Sequence, residues 1–516
     1  MKPRITLFCL ALCAVAACSL GGRTLSLGGT QALSEAGTGA VVPDASSSSG
    51  GDSGSAAAGS GSAGTLNVVN NEPVPCNAGE KTSVSGTVWD PAGKTQLYNA
   101  VVYIPPDDGQ LPAFNQTVAC EKCAVSVPAL AATLSGSDGS FTLDTDVPNT
   151  PSIDLVVQLG KWRRRQSVKI TPCQANPLTD PNQTRLPRNQ LEGDLPKIAL
   201  STGHSDALEC LLLKIGISPS EFTTDSGSGR VSMFVGCTDD QSDKHTGAAK
   251  FSAALGGGSF PSTNQLFDTA GELDKYDAVI FSCEGHKCTP GDATIPIQTP
   301  EHIAQLVDFA NRGGRVYLDH DHYNWLNHAG DTTGDRIEAA AQFSSSPDGV
   351  PSPLAGTINT VAGFYKGQDF AKWLVAVNAS STLGQLDLFS GKTSVETIDP
   401  NRAQSWIYRD STQTWPDFFY FTIGTPVAQI DGDPAPEACG RVVFTDLHVS
   451  KSGGGCEDGG VCGESDDISD QDMPFPTGCT SVGLLPQEKA LEFMIFDLTS
   501  CVQKETAKPT PPIVVK

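Results

Sequence analysis

Charge is scarce in this chain, and positive charge is scarcer still. Only 18% of the 516 residues are charged, 34 Lys and Arg against 58 Asp and Glu, for a net charge of −24. Such a surface repels a phosphate backbone, which excludes nucleic acid as a partner. No apolar run is long enough to span a bilayer, since the run from Ile5 has about 13 residues where a helical span needs roughly 20. The chain is instead rich in Gly (53) and Pro (35) and carries 16 cysteines. That mixture suits a loop-rich exported protein better than a charged cytosolic enzyme.

The opening residues, MKPRITLFCLALCAVAAC, place Lys2 and Arg4 before an apolar run and small residues before a cysteine. This pattern predicts an export signal over residues 1–18. VAAC, Val15 to Cys18, resembles the bacterial lipobox. The resemblance implies that Cys18 becomes the lipidated first residue, anchoring the protein to the bacterial cell envelope, on the outer membrane. Residues 19–75 are mostly Gly, Ser and Ala, too poor in large apolar side chains to build a core. They are expected to form a disordered tether with a reach of about 40 Å.

Sixteen cysteines less Cys9, Cys13 and Cys18 leave thirteen, an odd number, so at least one is free or intermolecular. Cys76 and Cys173 bracket one segment, Cys120 and Cys123 form C-x-x-C, and Cys456 and Cys462 flank a late loop. Each pair is expected to be a structural clip. CEKC lies in a Pro/Ala-rich loop and opens no helix, which argues against a redox motif, and no second cysteine pair stands nearby for zinc.

Residues 76–173 alternate apolar and polar positions between turns, as in TSVSGTVWD, NAVVYIP and SGSDGSFTLDT, and show no helical period. They predict a small antiparallel β-sandwich. VSGTVWDPAGKTQLYNAVVYI followed by GSDGSFTL resembles the carboxypeptidase regulatory-like domain, a seven-stranded transthyretin-like sandwich. That resemblance implies an accessory module without chemistry of its own. The basic run Lys161 to Arg165 reads as an exposed strand face or edge.

After a connector over 174–194 the pattern changes. Over 195–503 short apolar runs alternate with amphipathic stretches, predicting an α/β domain with a mostly parallel, flavodoxin-like sheet covered on both faces. Ser205 is the expected N-cap of a helix with Leu208, Leu211, Leu212 and Ile215 on one face, closed by Gly216. Thr299, Pro300 and Glu301 start another, ended by Gly313 and Gly314, and the last helix carries Leu491, Met494, Ile495 and Leu498. Residues 504–516 are read as a tail. The whole is therefore expected to be multidomain, a sandwich followed by an α/β domain.

Four apolar runs end in histidine: IALSTGH at His204, VIFSCEGH at His286, VYLDHDH at His320 and His322, and VVFTDLH at His448. Ligands of open α/β sheets bind outside the carboxyl ends of the strands. The candidate pocket is therefore His204, Glu284, His286, Asp319, His320, Asp321, His322, Asp446 and His448, with Asp206 nearby. Such groups hold zinc or a similar ion, for which His320 and His448 are the first choices, or serve as general acids and bases. Taken alone, each histidine reads as a capped or hydrogen-bonded loop residue rather than a ligand; the case for a site rests on the cluster. If the strand continues past Leu318, His320 and His322 share one face and Asp319 and Asp321 the other. His302, His245 and His328 are assigned to structure or solvent.

YDAVIFS, TPEHIAQLVDFANRGGRVYLDH and GRVVFTDLHVS resemble the glutamine-amidotransferase-like fold and, within it, the trehalose-utilisation (ThuA-like) group. The resemblance places His320 and His448 at that group's two strand-end histidines. It departs where the group's Gly before Leu-His is Leu318-Asp319, and in its long insertions. The arrangement as a whole resembles lipoproteins of myxobacterial type. Cys283 in SCEGH is expected in a disulfide, with Cys288 at hand, rather than as a nucleophile, and Ser205 as a cap rather than a hydrolase serine. The acidic Gly-rich loop around Cys456 lacks EF-hand spacing for calcium. Two functions follow: an envelope lipoprotein that binds a ligand or partner without turnover, or a metal-dependent, ThuA-like hydrolase of carbohydrate-type substrates.

Overall fold

Strand alternation with period two needs a core on one side, and in the computed structural model Ser140–Leu143 follows it, with alternate residues exposed and buried. The structure describes residues 71–106, 110–124, 126–237, 247–291, 293, 295–328, 337–344, 353–389, 391–409, 417–427, 436–449, 473–479 and 483–515. The export signal, Cys18, nearly all of the tether, His245, Cys456, Cys462 and most of their acidic loop lie outside the described residues. Residues 71–75 do not continue the expected tether, for Val74 N–H donates to Asn149 O and the Asn71 side chain accepts from Ser152 N–H.

Two small sheets face each other across the residues from Val84 to Leu178. In one, β1 (Ser83–Thr87) lies between β5 (Ser140–Leu143) and β8 (Ala175–Leu178). In the other, β2 (Val101–Ile104) lies between β4 (Ala131–Leu134) and β6 (Ser152–Leu159), with β7 (Trp162–Lys169) at the edge. β8 pairs parallel with β1, so the first sheet is mixed where an antiparallel one was expected. The basic run opening β7 is not exposed throughout. Lys161 and Arg163 are buried because acids from outside these sheets reach them, Asp277 and Glu121 for Lys161 and Asp194 for Arg163.

The main sheet has ten strands. β9 (Ile198–Thr202), β11 (Val231–Val235), β12 (Ala278–Phe281), β13 (Arg315–Leu318) and β20 (Gly440–Thr445) pair in parallel in the order β11-β9-β12-β13-β20, with the two-residue β10 (Phe222–Thr223) outside β11. In chain order these five run 2-1-3-4-5, so the strand order reverses beside β9, and ligands of open parallel sheets gather outside the strands' carboxyl ends at such a reversal. Beyond β20 the sheet turns antiparallel through β19 (Asp417–Thr425), β18 (Ala403–Arg409), β15 (Leu354–Ile358) and β16 (Gln385–Leu388). The sheet is therefore mixed rather than mostly parallel. Strand predominates over helix, and these four strands occupy what reads in the sequence as insertion. β14 (Ala341–Phe343) and β17 (Val395–Ile398) form a separate antiparallel pair.

The helices are few. α1 (Leu208–Lys214), α2 (Gln265–Asp268), α3 (Pro300–Asn311), α4 (Asn324–Asn327), α5 (Tyr365–Ala376) and α6 (Pro486–Leu498) accompany short 3₁₀ turns. α3 starts as expected, with the Thr299 hydroxyl accepting from His302 N–H and Pro300 in the first turn, where its missing N–H costs nothing. Ser205 does not cap α1. The helix begins after Ala207, and Ser205 N–H donates instead to Cys283 O at 2.9 Å.

All of these sheets belong to one compact unit, Val68–Lys516, and a single apolar cluster runs from Val88 and Trp162 to Leu211, Met233 and Phe493. Two disulfides tie its distant parts together. Cys120 and Cys123 do not close on each other as expected; Cys120 joins Cys439 and Cys123 joins Cys501. Cys76–Cys173 forms as expected, and Cys210–Cys479 and Cys237–Cys288 bring the disulfides among the described residues to five. Five disulfides mark a chain that folds in an oxidising compartment. Nor is the stretch after 503 a loose tail: Glu505 pairs with the buried Lys366 and Arg441, and β21 (Ile513–Val515) pairs with β3 (Ser126–Pro128). Among the described residues no helix is long and apolar enough to cross a membrane.

Candidate functional site

The carboxyl ends of β9, β12, β13 and β20 bring the histidine-bearing loops to one edge of the main sheet. At their centre is a residue expected elsewhere. Cys283, assigned to a disulfide from the sequence, is a buried free thiol, because Cys288 pairs with Cys237 instead. Its Sγ lies 3.2 Å from His320 Nδ1, and His448 Nε2 lies 2.9 Å from the same nitrogen. One ligand atom from each of Cys283, His320 and His448 falls within 4.8 Å of the others. His320 and Cys283 are buried and His448 is half-buried.

The first turn after β13 sets this arrangement. The strand stops at Leu318 and a 3₁₀ turn covers His320–Tyr323, so period-two alternation no longer applies. His320 faces Cys283, and its Nε2 lies 3.1 Å from Asp321 Oδ2. With the Nε2–H directed at this carboxylate, the Nδ1 lone pair is left for an ion or a proton, the usual arrangement behind a metal-bound histidine. Although burial opposes its ionisation, the charge and hydrogen bond of His320 hold Asp321 below the ordinary carboxylate range.

His322 does not join the cluster. Its Nε2 lies 3.0 Å from Glu284 Oε2 and 3.1 Å from Ser282 O, while its Nδ1 meets Gln298 Nε2 at 3.0 Å and Trp325 Nε1 at 3.3 Å. Both ring nitrogens are committed to protein partners. Burial works against its charge, but Glu284 and the Ser282 carbonyl outweigh it and raise the pKa of the imidazole above its ordinary value. Glu284 thus faces His322, and neither of these candidates belongs to the group that converges on Cys283.

Beneath the cluster two carboxyls face each other. Asp319 Oδ2 accepts from Cys283 N–H at 2.6 Å, and Asp206 Oδ1 accepts from Val449 N–H at 2.8 Å. Burial pushes Asp206 up to about 7; burial and the adjacent Asp206 push Asp319 well above its ordinary value. Both shifts favour the protonated carboxyl, and the two side chains hold the backbone that carries Cys283 and the backbone beside His448. Asp446 accepts from Ser394 N–H at 2.8 Å, and burial raises it to about 6. Close backbone approach is part of the build, since a Cβ on Gly203 would lie 2.2 Å from Cys283 O.

Of the other candidates, His204 is half-buried on the β9 loop, outside the trio that converges on Cys283. His286 belongs to a different group, its Nε2 3.3 Å from Cys237 Sγ. His302 is structural as expected, with Nδ1 3.0 Å from Ile297 O and Nε2 3.3 Å from Asp268 Oδ1, and His328 is exposed. Cys283 is the site member that sequence reasoning set aside in favour of a disulfide; the odd cysteine count and its place at the end of an apolar run in SCEGH were its signals. Burial, then Asp319, Asp321, Glu284 and Asp206, raise its thiol well above the ordinary value. No family model and no curated protein sequence matches this chain.

Proposed function

We propose that the protein is an exported lipoprotein of the cell envelope, anchored through Cys18, that binds one transition-metal ion of the zinc type at Cys283, His320 and His448. The observation that carries this reading is the convergence of one thiol and two imidazoles from three separate strand ends, with Asp321 behind His320. A thiol and two imidazoles are the donor set of zinc and its soft neighbours, and three protein ligands leave a fourth position for water or a bound molecule. The resemblance to the ThuA-like group supports a carbohydrate-type molecule there, bound or hydrolysed. The resemblance of residues 76–173 to a carboxypeptidase regulatory-like domain supports an accessory role for that part.

A second reading rests on a different feature of the same atoms. Cys283 Sγ, His320 and Asp321 stand in the order of a nucleophile, base and orienting acid. The surroundings favour the metal. Reactive thiols sit in electropositive sites, whereas Cys283 is ringed by carboxylates, which attract a cation and repel a thiolate.

Elemental analysis of the purified full chain after equilibration with zinc separates the two. One ion per chain in the wild type, lost in Cys283→Ser and in His448→Ala, is the expected result. A wild type that takes up no ion, or variants that both keep it, would sink the metal reading. A metal-free protein whose Cys283 is alkylated rapidly at neutral pH would favour the nucleophile.

A further inference from the structure

The loop that supplies Cys283 goes on to carry His286 and Cys288. We infer that Cys237, His286 and Cys288 form a second metal site, closed while the two cysteines are joined and opened by their reduction, that takes a soft cation such as zinc. Their ligand atoms lie within 4.8 Å of one another, and His286 Nε2 is already 3.3 Å from Cys237 Sγ. The two cysteine Cα atoms are 5.8 Å apart. Side-chain rotation alone can then bring both sulfurs to about 2.3 Å from one ion.

The backbone around this group is held independently of the disulfide. Cys288 O accepts from Ile297 N–H at 3.0 Å and Gln298 N–H at 2.9 Å, and Cys237 lies one residue beyond Gly236, which follows the last residue of β11, Val235. Opening the S–S bond therefore leaves the donors in place. The site shares no ligand with the Cys283 cluster, so neither depends on the other being filled.

The chemistry balances with a small dithiol as reductant. Its two sulfurs join, the Cys237–Cys288 bond takes up the two electrons, and the dithiol's two protons pass to the freed thiols. Binding of the ion then releases both protons as two metal–sulfur bonds form, with the neutral imidazole as third donor. Both cysteines are buried, so a small reductant suits them better than a bulky protein one.

Cobalt(II) is the probe, used on the full chain carrying Cys283→Ser so that the first site contributes no thiolate. The oxidised protein is expected to show no thiolate-to-cobalt charge-transfer band. After reduction and anaerobic removal of the dithiol it is expected to bind one cobalt with that band. Adding His286→Ala, which leaves both cysteines intact, should weaken binding at least tenfold, and Cys237→Ser/Cys288→Ser should abolish the band. The inference is overturned if the band is missing although mass mapping finds both thiols free, if it survives Cys237→Ser/Cys288→Ser, or if the disulfide opens only when the protein unfolds.

Discussion

Two histidine–carboxylate pairs stand side by side after β13, nearly identical in length and different in expected consequence. His320 Nε2 lies 3.1 Å from Asp321 Oδ2, and His322 Nε2 lies 3.0 Å from Glu284 Oε2. Only His320 turns its other nitrogen towards Cys283 and His448; His322 turns its own towards Gln298 and Trp325. Asp321→Asn removes the carboxylate that orients a ligand and makes it more basic. Zinc affinity should fall about 10- to 100-fold, or about 1.4 to 2.7 kcal/mol, and stability should fall too, because His320 holds this buried carboxylate below its ordinary range. Glu284→Gln should differ in sparing the zinc affinity. It breaks a fully buried pair, costing about 3 kcal/mol of stability, while zinc affinity stays within about threefold, since no ligand is touched. Competition titration against a chromogenic chelator reads the first quantity and urea unfolding the second. Equal losses of zinc affinity in the two variants would refute the assignment of His320 as ligand and His322 as structural.

Three further outcomes are expected. Asp90 and Glu492 are buried together, and burial raises Asp90 to about 6 and Glu492 well above its ordinary value. The folded state therefore binds protons that the unfolded chain releases, so this contribution is complete below pH about 4 and is lost as pH rises through about 6, about 3 kcal/mol for Asp90. Glu492→Gln should flatten that slope in stability measured by chemical denaturation from pH 4 to 8. With Cys120–Cys439 in place, Cys123–Cys501 closes a loop of about 65 residues, so replacing either pair with serine should cost about 4 kcal/mol and replacing both about 10. Denaturation of the three variants would show simple additivity if the two bridges acted independently. Gly203→Ala should lower zinc affinity at least tenfold without removing a ligand, because its Cβ would press on Cys283 O; unchanged affinity in a titration would show that the loop yields freely.

Much of the frame was legible in local pattern. Strand-length apolar runs ending in histidine marked β9, β12, β13 and β20, and Thr299-Pro300 marked the start of α3. The antiparallel half of the main sheet was not legible. β18 and β19 pair with each other and with β15 and β20, and nothing in their alternation says which strand each will pair with. Lys161 and Arg163 read as exposed because the acids that bury them are contributed from distant parts of the chain.

Composition and short-range order determined that this chain is exported in character, cysteine-bonded, rich in strands and crowded with histidine at strand ends, because those properties depend on neighbours within a few positions. The tertiary structure alone decided which cysteines meet, including Cys123 with Cys501 at a separation of 378 residues, and that Cys283 among the described residues stays free. It also decided that a single 3₁₀ turn sends His320 to Cys283 and His448 and His322 to Glu284. The physical reason is the same in each case: a bond between side chains depends on distance and direction in space, and those come from the packing of the whole sheet rather than from the residues on either side.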